Sequence, residues 1–161
     1  MFALPLIAHI LMLIASIENR PHRMILSKTA VYALKATLYL AEQAYGEPVR
    51  VDDISAALDV PRNYLSKILH VLARGDVLDS TRGPKGGFHL ARRPEEMTLE
   101  DVIEHFDHLV SGSACLLGRS ECSDTNPCAA HDRWKSTSVA VRTFFRETTV
   151  ANLAHTGVLP A

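Results

Sequence analysis

The 161-residue chain is most easily narrowed by what it does not contain. It has no excess of one charge: seventeen Lys and Arg against eighteen Asp and Glu leave a formal net charge of −1, which excludes a uniformly basic, histone-like binder. Cysteine is limited to three residues, an odd number that fits a disulfide scaffold poorly. No apolar run reaches membrane-spanning length: Phe2 to Ile17 is sixteen residues, against the roughly 20 a helix needs to cross a bilayer. Internal repeats, low-complexity tracts, a nucleophile elbow, a Gly-rich phosphate loop and a paired-carboxylate site are all missing, so an enzyme is not expected. What remains is a globular composition, 47% apolar and 22% charged, which excludes wholesale disorder and a fibrous or collagen-like chain.

The apolar N-terminal segment does not read as a secretory signal either. Nothing basic precedes Phe2, Pro5 and His9 interrupt the run, and no small-x-small cleavage site follows it. Met24-Ile25-Leu26-Ser27 leads directly into a helical pattern. The expectation is therefore that residues 1–23 are an apolar extension outside the native protein, which starts at Met24.

The charge is unevenly distributed. Pro61 to Arg93 carries seven basic residues (Arg62, Lys67, Arg74, Arg82, Lys85, Arg92, Arg93) and two acidic ones, a net of +5. Pro94 to Gly112 carries six acidic residues and no Lys or Arg, a net of −6. One basic working surface beside a neutralising acidic helix is the expected layout.

Ser27 suits an N-cap, and Val31, Leu34, Leu38 and Ala41 follow at helical spacing, with an end expected near Tyr45-Gly46-Glu47-Pro48. A second short helix over Asp52–Leu58 should bury Ile54, Ala57 and Leu58, and Asp59-Val60-Pro61 should turn the chain into a third, with Pro61 in its first turn. In that third helix, over Pro61–Ala73, Leu65, Ile68, Leu69 and Leu72 form one apolar stripe. Its other side carries Asn63, Ser66, Lys67, His70 and Arg74, with Arg62 at the exposed start. Two helices joined by a tight turn, the second with a polar, basic outer face, form a helix-turn-helix pattern. An ordinary helical hairpin shares the core stripe but not the outer chemistry. The segments Val77-Leu78 and Phe88–Leu90 read as strands around Arg82-Gly83-Pro84-Lys85-Gly86-Gly87, a basic hairpin that would make the wing of a winged helix. The residues expected at DNA are Arg62, Asn63, Ser66 and Lys67 in the major groove, and Arg82 and Lys85 on the wing.

Thr98 with Asp101 resembles a capping box opening a helix whose inward face is Val102, Ile103, Phe106, Leu109 and Val110. After Pro127 a long helix is expected to run to about Leu153. Its apolar residues Trp134, Val141, Phe144, Phe145 and Val150 call for a partner, most simply a second copy of the chain.

The three cysteines, Cys115, Cys122 and Cys128, sit within fourteen residues. Asn126-Pro127 reads as a cap and first turn that would place Cys128 near a helix N-terminus, where the dipole favours a thiolate. His131, three residues on, would share its helical face. Three thiolates and an imidazole suit a metal, but structural zinc usually takes cysteines two to four residues apart, and the bacterial ferredoxin spacing is absent. The spacing itself leaves metal binding and redox-active thiols both open.

From Met24 to about Leu153 the chain resembles the Rrf2 family of bacterial winged-helix regulators, which includes the IscR, NsrR and RirA types. The passages that carry the resemblance are Met24-Ile-Leu-Ser-Lys-Thr-Ala-Val-Tyr-Ala-Leu-Lys-Ala, Tyr64-Leu-Ser-Lys-Ile-Leu, Arg82-Gly-Pro-Lys-Gly-Gly-Phe and Cys128-Ala-Ala-His-Asp-Arg-Trp134. The resemblance implies a mainly α fold with a small β-hairpin wing, a winged helix-turn-helix followed by a long C-terminal dimerisation helix. It implies a cytoplasmic homodimer on double-stranded promoter DNA, with no membrane partner, and an iron–sulfur cluster, taken as 2Fe–2S, on Cys115, Cys122 and Cys128. His131 matches the histidine ligand of IscR-type members. NsrR-type members use an acidic residue early in the first helix of the partner chain, where this sequence has Val31, which cannot ligate. The six residues between Cys115 and Cys122 exceed the five usual in IscR. The expected divisions are 24–93 for DNA binding, 94–114 for a connecting helix, 115–131 for the cluster loop, 132–153 for dimerisation and 154–161 for a tail. The expected function is a DNA-binding repressor answering to cluster state; the alternative keeps the DNA binding and makes the loop a thiol-redox or zinc site.

Overall fold

The computed structural model describes residues 25–107, 115, 117, 119 and 122–156. The apolar extension, the start at Met24, the end of the connecting helix with Leu109 and Val110, and residues 157–161 of the tail lie outside them.

Helix α1 (Lys28–Ala41) starts where Ser27, in extended conformation, accepts a hydrogen bond from the Ala30 amide at 3.2 Å. Ala30, Ala33 and Ala36 are fully buried. Their small side chains let neighbouring helices approach closely, which makes α1 the centre of the domain. The helix ends before Gly46. The Glu42 and Gln43 amides fold back onto the last-turn carbonyls, and the Gln43 side chain donates to the Tyr39 carbonyl at 3.1 Å. The orphan carbonyls are thus satisfied without the glycine.

Helix α2 (Val51–Leu58) buries Ile54 completely, but Ala57 is exposed and Leu58 only half-buried, because two turns bring one short face to the core. The left-handed Asp59 (φ 50°) ends it, and the Ser55 hydroxyl donates to the Val60 carbonyl at 2.7 Å, fixing the turn. Pro61 serves as the N-cap of α3 (Arg62–Arg74), one position before the helix proper. Leu65, Ile68, Leu69 and Leu72 are each at most 2% exposed. At about 1.5–3 kcal/mol per buried aliphatic side chain, this stripe is the main reason α3 sits where it does.

Strands β1 (Leu78–Thr81) and β2 (Gly87–Leu90) pair antiparallel, with Leu78 opposite Leu90 and Thr81 opposite Gly87. Val49 adds an antiparallel bridge on the other side of β2, exchanging both main-chain hydrogen bonds with Phe88 at 2.8 and 2.9 Å. A Cβ on Gly87 would lie 2.2 Å from the Val49 carbonyl oxygen, so only glycine lets these chains pass.

A 3-10 turn (Pro94–Glu96) leads to α4 (Leu99–Ile103), opened by the reciprocal Thr98–Asp101 capping box at 3.2 and 2.9 Å. Helix α5 (His131–Glu147) is followed by a separate short helix, α6 (Val150–Leu153). The single helix expected to Leu153 is therefore broken at Thr148–Thr149. The break has two causes. Thr149 and Asn152 form a second reciprocal cap, and the extended pair bridges to the start of α4, with Leu99 N–H donating to Thr148 O at 2.9 Å and Val150 N–H to Met97 O at 2.8 Å. Phe145 and Val150 consequently join the chain's own core, whereas Val139 and Phe144 stay exposed at 45% and 54%. Among the described residues no helix is long and apolar enough to cross a membrane.

Candidate functional site

The basic surface forms first from α3 and the wing. Arg62, Asn63 and Lys67 are exposed on the outer face of α3 and Ser66 is half-buried there, while Arg82 and Lys85 are exposed in the β1–β2 turn. A groove of about 700 Å³ between α2, α3 and the wing is lined by Arg50, Arg62, His70 and Arg82, together with Asp52. Lys67 lies further along, beside His70 and Arg74 on the same helix face. Arg50 was not singled out from the sequence; it precedes α2 in a loop, and nothing in its local pattern marks it. The charge is partly compensated within the chain. Arg62 is ion-paired with Asp52, Arg50 lies 3.9 Å from the same carboxylate, and Arg92 meets Asp101 at 3.3 Å. Tyr64 anchors the start of α3 by a 2.6 Å hydrogen bond between its hydroxyl and that of Thr29 and by edge contact with Tyr32.

The second cluster is the cysteine loop. All three cysteines are free thiols, each half-buried. Cys128 lies before α5 rather than in its first turn, contrary to the expectation from Asn126-Pro127. The helix starts only at His131, whose amide donates to the Cys128 carbonyl at 3.0 Å. Cys128 and His131 are thus joined by a turn, not by a shared helical face, and the thiol that meets the imidazole is Cys122, with Sγ 3.3 Å from His131 Nδ1. The other ring nitrogen, Nε2, is 2.7 Å from Asp124 Oδ1. Lys135 donates to both Asp124 oxygens at 2.7 and 2.9 Å. His131 is 5% exposed and is one of few buried polar side chains.

Cys122 is the thiol that both of the others act on. Partial burial, then the neighbouring Cys115 and Cys128, push the Cys122 thiol up. Main-chain hydrogen bonds from Arg119 and Leu117 draw Cys115 down, assisted by the Arg119 charge and by Cys122. The Lys135 hydrogen bond, followed by that of His131, holds the Asp124 carboxyl below its ordinary range, and Asp124 in turn raises Lys135. Among the described residues no three His, Cys, Asp or Glu side chains are arranged to hold a metal ion as they stand. The residue types nevertheless suit an iron–sulfur group: three free thiols in one loop, with an imidazole nitrogen 3.3 Å from the Cys122 sulfur. Asp124 and Lys135 were not foreseen. Within Ser-Asp-Thr-Asn-Pro an aspartate reads as a turn residue, and the contact with α5 exists only in three dimensions.

A helix-turn-helix with a β wing and a basic outer face defines a winged-helix transcriptional regulator, not an enzyme. More particularly, the chain belongs to the Rrf2 family, described as iron-dependent transcriptional regulators, whose family model matches residues 26–156. It is 38% identical over 132 residues to a protein of Aquifex aeolicus described as an HTH-type transcriptional regulator, covering 81% of this chain and 91% of that one. It is 31% identical over 113 residues to the HTH-type transcriptional regulator IscR of Aliivibrio salmonicida, covering 70% and 67%. In fold it is similar to CymR of Bacillus subtilis, called a global cysteine regulator, with a TM-score of 0.69 at 24% identity over 81% of this chain and 96% of that one.

Proposed function

We propose that the chain acts in the cytoplasm as a dimeric repressor that grips promoter DNA through α3 and the wing, and that its affinity follows the state of a 2Fe–2S cluster held by Cys115, Cys122, Cys128 and His131. The observation that carries this reading is the buried imidazole of His131 with its Nδ1 3.3 Å from Cys122 Sγ, in a loop that also carries the free thiols of Cys115 and Cys128. The IscR likeness supports the same ligand set. Such a cluster supplies an oxidisable, nitric-oxide-sensitive tie between its donors. The protein's part is to bring two loop thiols and Cys128 to the start of α5, and to keep the imidazole out of water. Arg62, Asn63, Ser66 and Lys67 would then meet the major groove while Arg82 and Lys85 meet phosphates or the minor groove. Val139 and Phe144, left exposed on α5, offer apolar surface to a second copy.

Anaerobic reconstitution with iron and sulfide, followed by the visible spectrum, metal and sulfide analysis and promoter binding with and without the cluster, tests the reading. The expected result is a coloured protein with two irons and two sulfides per chain and a changed DNA affinity. A colourless protein without iron or sulfide overturns the cofactor. A second reading, a thiol switch or zinc site, is favoured by the free, half-exposed state of all three thiols. Zinc analysis and thiol counting before and after exposure to air separate the two, since zinc gives no visible chromophore.

A further inference from the structure

We infer that Asp124 is a positioning residue that fixes which nitrogen of His131 faces the sulfurs, making Nδ1 the nitrogen that ligates. The ligand role rests on the cluster reading above; the choice of nitrogen does not. A carboxylate only accepts hydrogen bonds, so His131 Nε2, 2.7 Å from Asp124 Oδ1, carries the ring proton. A neutral imidazole has one N–H, which leaves the Nδ1 lone pair directed at Cys122 Sγ, 3.3 Å away. Lys135, one turn after His131 on α5, grips both Asp124 oxygens and ties the loop carboxylate to the helix that carries the imidazole. The three side chains therefore form a clamp that closes across the loop–helix junction. Such outer partners of a ligating histidine orient the ring, and their loss typically lowers metal retention about 10- to 100-fold. Asp124 is exposed and lies outside the core, so its variants should match the parent in circular dichroism and thermal unfolding.

The test uses the full chain with ¹⁵N-labelled histidine, in Asp124→Ala and Asp124→Asn variants. In the reduced, metal-free protein, ¹⁵N shifts should show His131 as a single Nε2–H tautomer. Asp124→Ala should average the two tautomers, and Asp124→Asn, whose amide oxygen still accepts, should restore the single form. After reconstitution, Asp124→Ala should release iron to a chelator about 10- to 100-fold faster than the parent, with Asn in between. Mixed tautomers in the parent, or an unchanged pattern in Asp124→Ala, overturn the inference. A tautomer shift with unchanged iron release overturns the positioning role. If no variant and not the parent takes up iron, the cluster reading fails by itself, and the tautomer assignment is decided by the metal-free spectra.

Discussion

Individual side chains on the face proposed to meet DNA should have separable effects. Lys67 is exposed and lies beside Arg74 on the outer side of α3. Lys67→Ala should weaken promoter binding and reduce the salt dependence of affinity by about one phosphate contact, measured by fluorescence anisotropy across a salt series. Arg62 differs, because Asp52 holds it within the chain. DNA must compete with that carboxylate, so Asp52→Asn should tighten binding to any sequence. An exposed pair of this kind contributes about 0.2–1 kcal/mol, which corresponds to at most roughly fivefold. No change in affinity for random-sequence duplex would show that Arg62 does not reach the phosphates. The residue types at this surface were legible because period and polarity sort them onto one helix face. Asp52 and Arg50 were not, since Asp52 and Arg62, ten residues apart, meet only once the helix-turn-helix has formed and bring Arg50 to the same groove.

Among the elements, those whose apolar stripe matches their own period were readable, and those bounded by tertiary contacts were not. The stripe of α3 is the clear case: Leu69→Ala, at a fully buried position, should cost about 2–5 kcal/mol in urea unfolding. The Thr98–Asp101 box, visible as a spacing, forms as read. Removing it by Thr98→Ala should cost about 1 kcal/mol in the same assay. The break after α5 was missed because a main-chain bridge to residues 97–99 fixes it and leaves no local signature. The end of α1 was placed a few residues late because Glu42 and Gln43 close the last turn before Gly46 is reached. The wing was legible from its glycines, but the demand on Gly87 comes from Val49, nearly forty residues earlier. Gly87→Ala should loosen the wing and weaken DNA binding while leaving helix content near the parent value by circular dichroism.

At the scale of the whole molecule the sequence placed a reading head and a sulfur loop side by side, and the structure shows how they are attached. Serine at Cys115, Cys122 and Cys128 together should abolish the visible chromophore after reconstitution and make promoter affinity independent of oxidation state. Retained dependence would sever sensing from the loop. The attachment runs through α5, whose seventeen residues make a rod about 25 Å long. Its far end carries His131 and Lys135, and its near end is stitched to Met97–Leu99 through the Thr148–Val150 crossing. The Thr148–Val150 crossing thus anchors the end of α5 to the start of α4, with Phe145 and Val150 buried on either side of it, so a change at residues 97–99 reaches the helix that carries His131 through main-chain bonds.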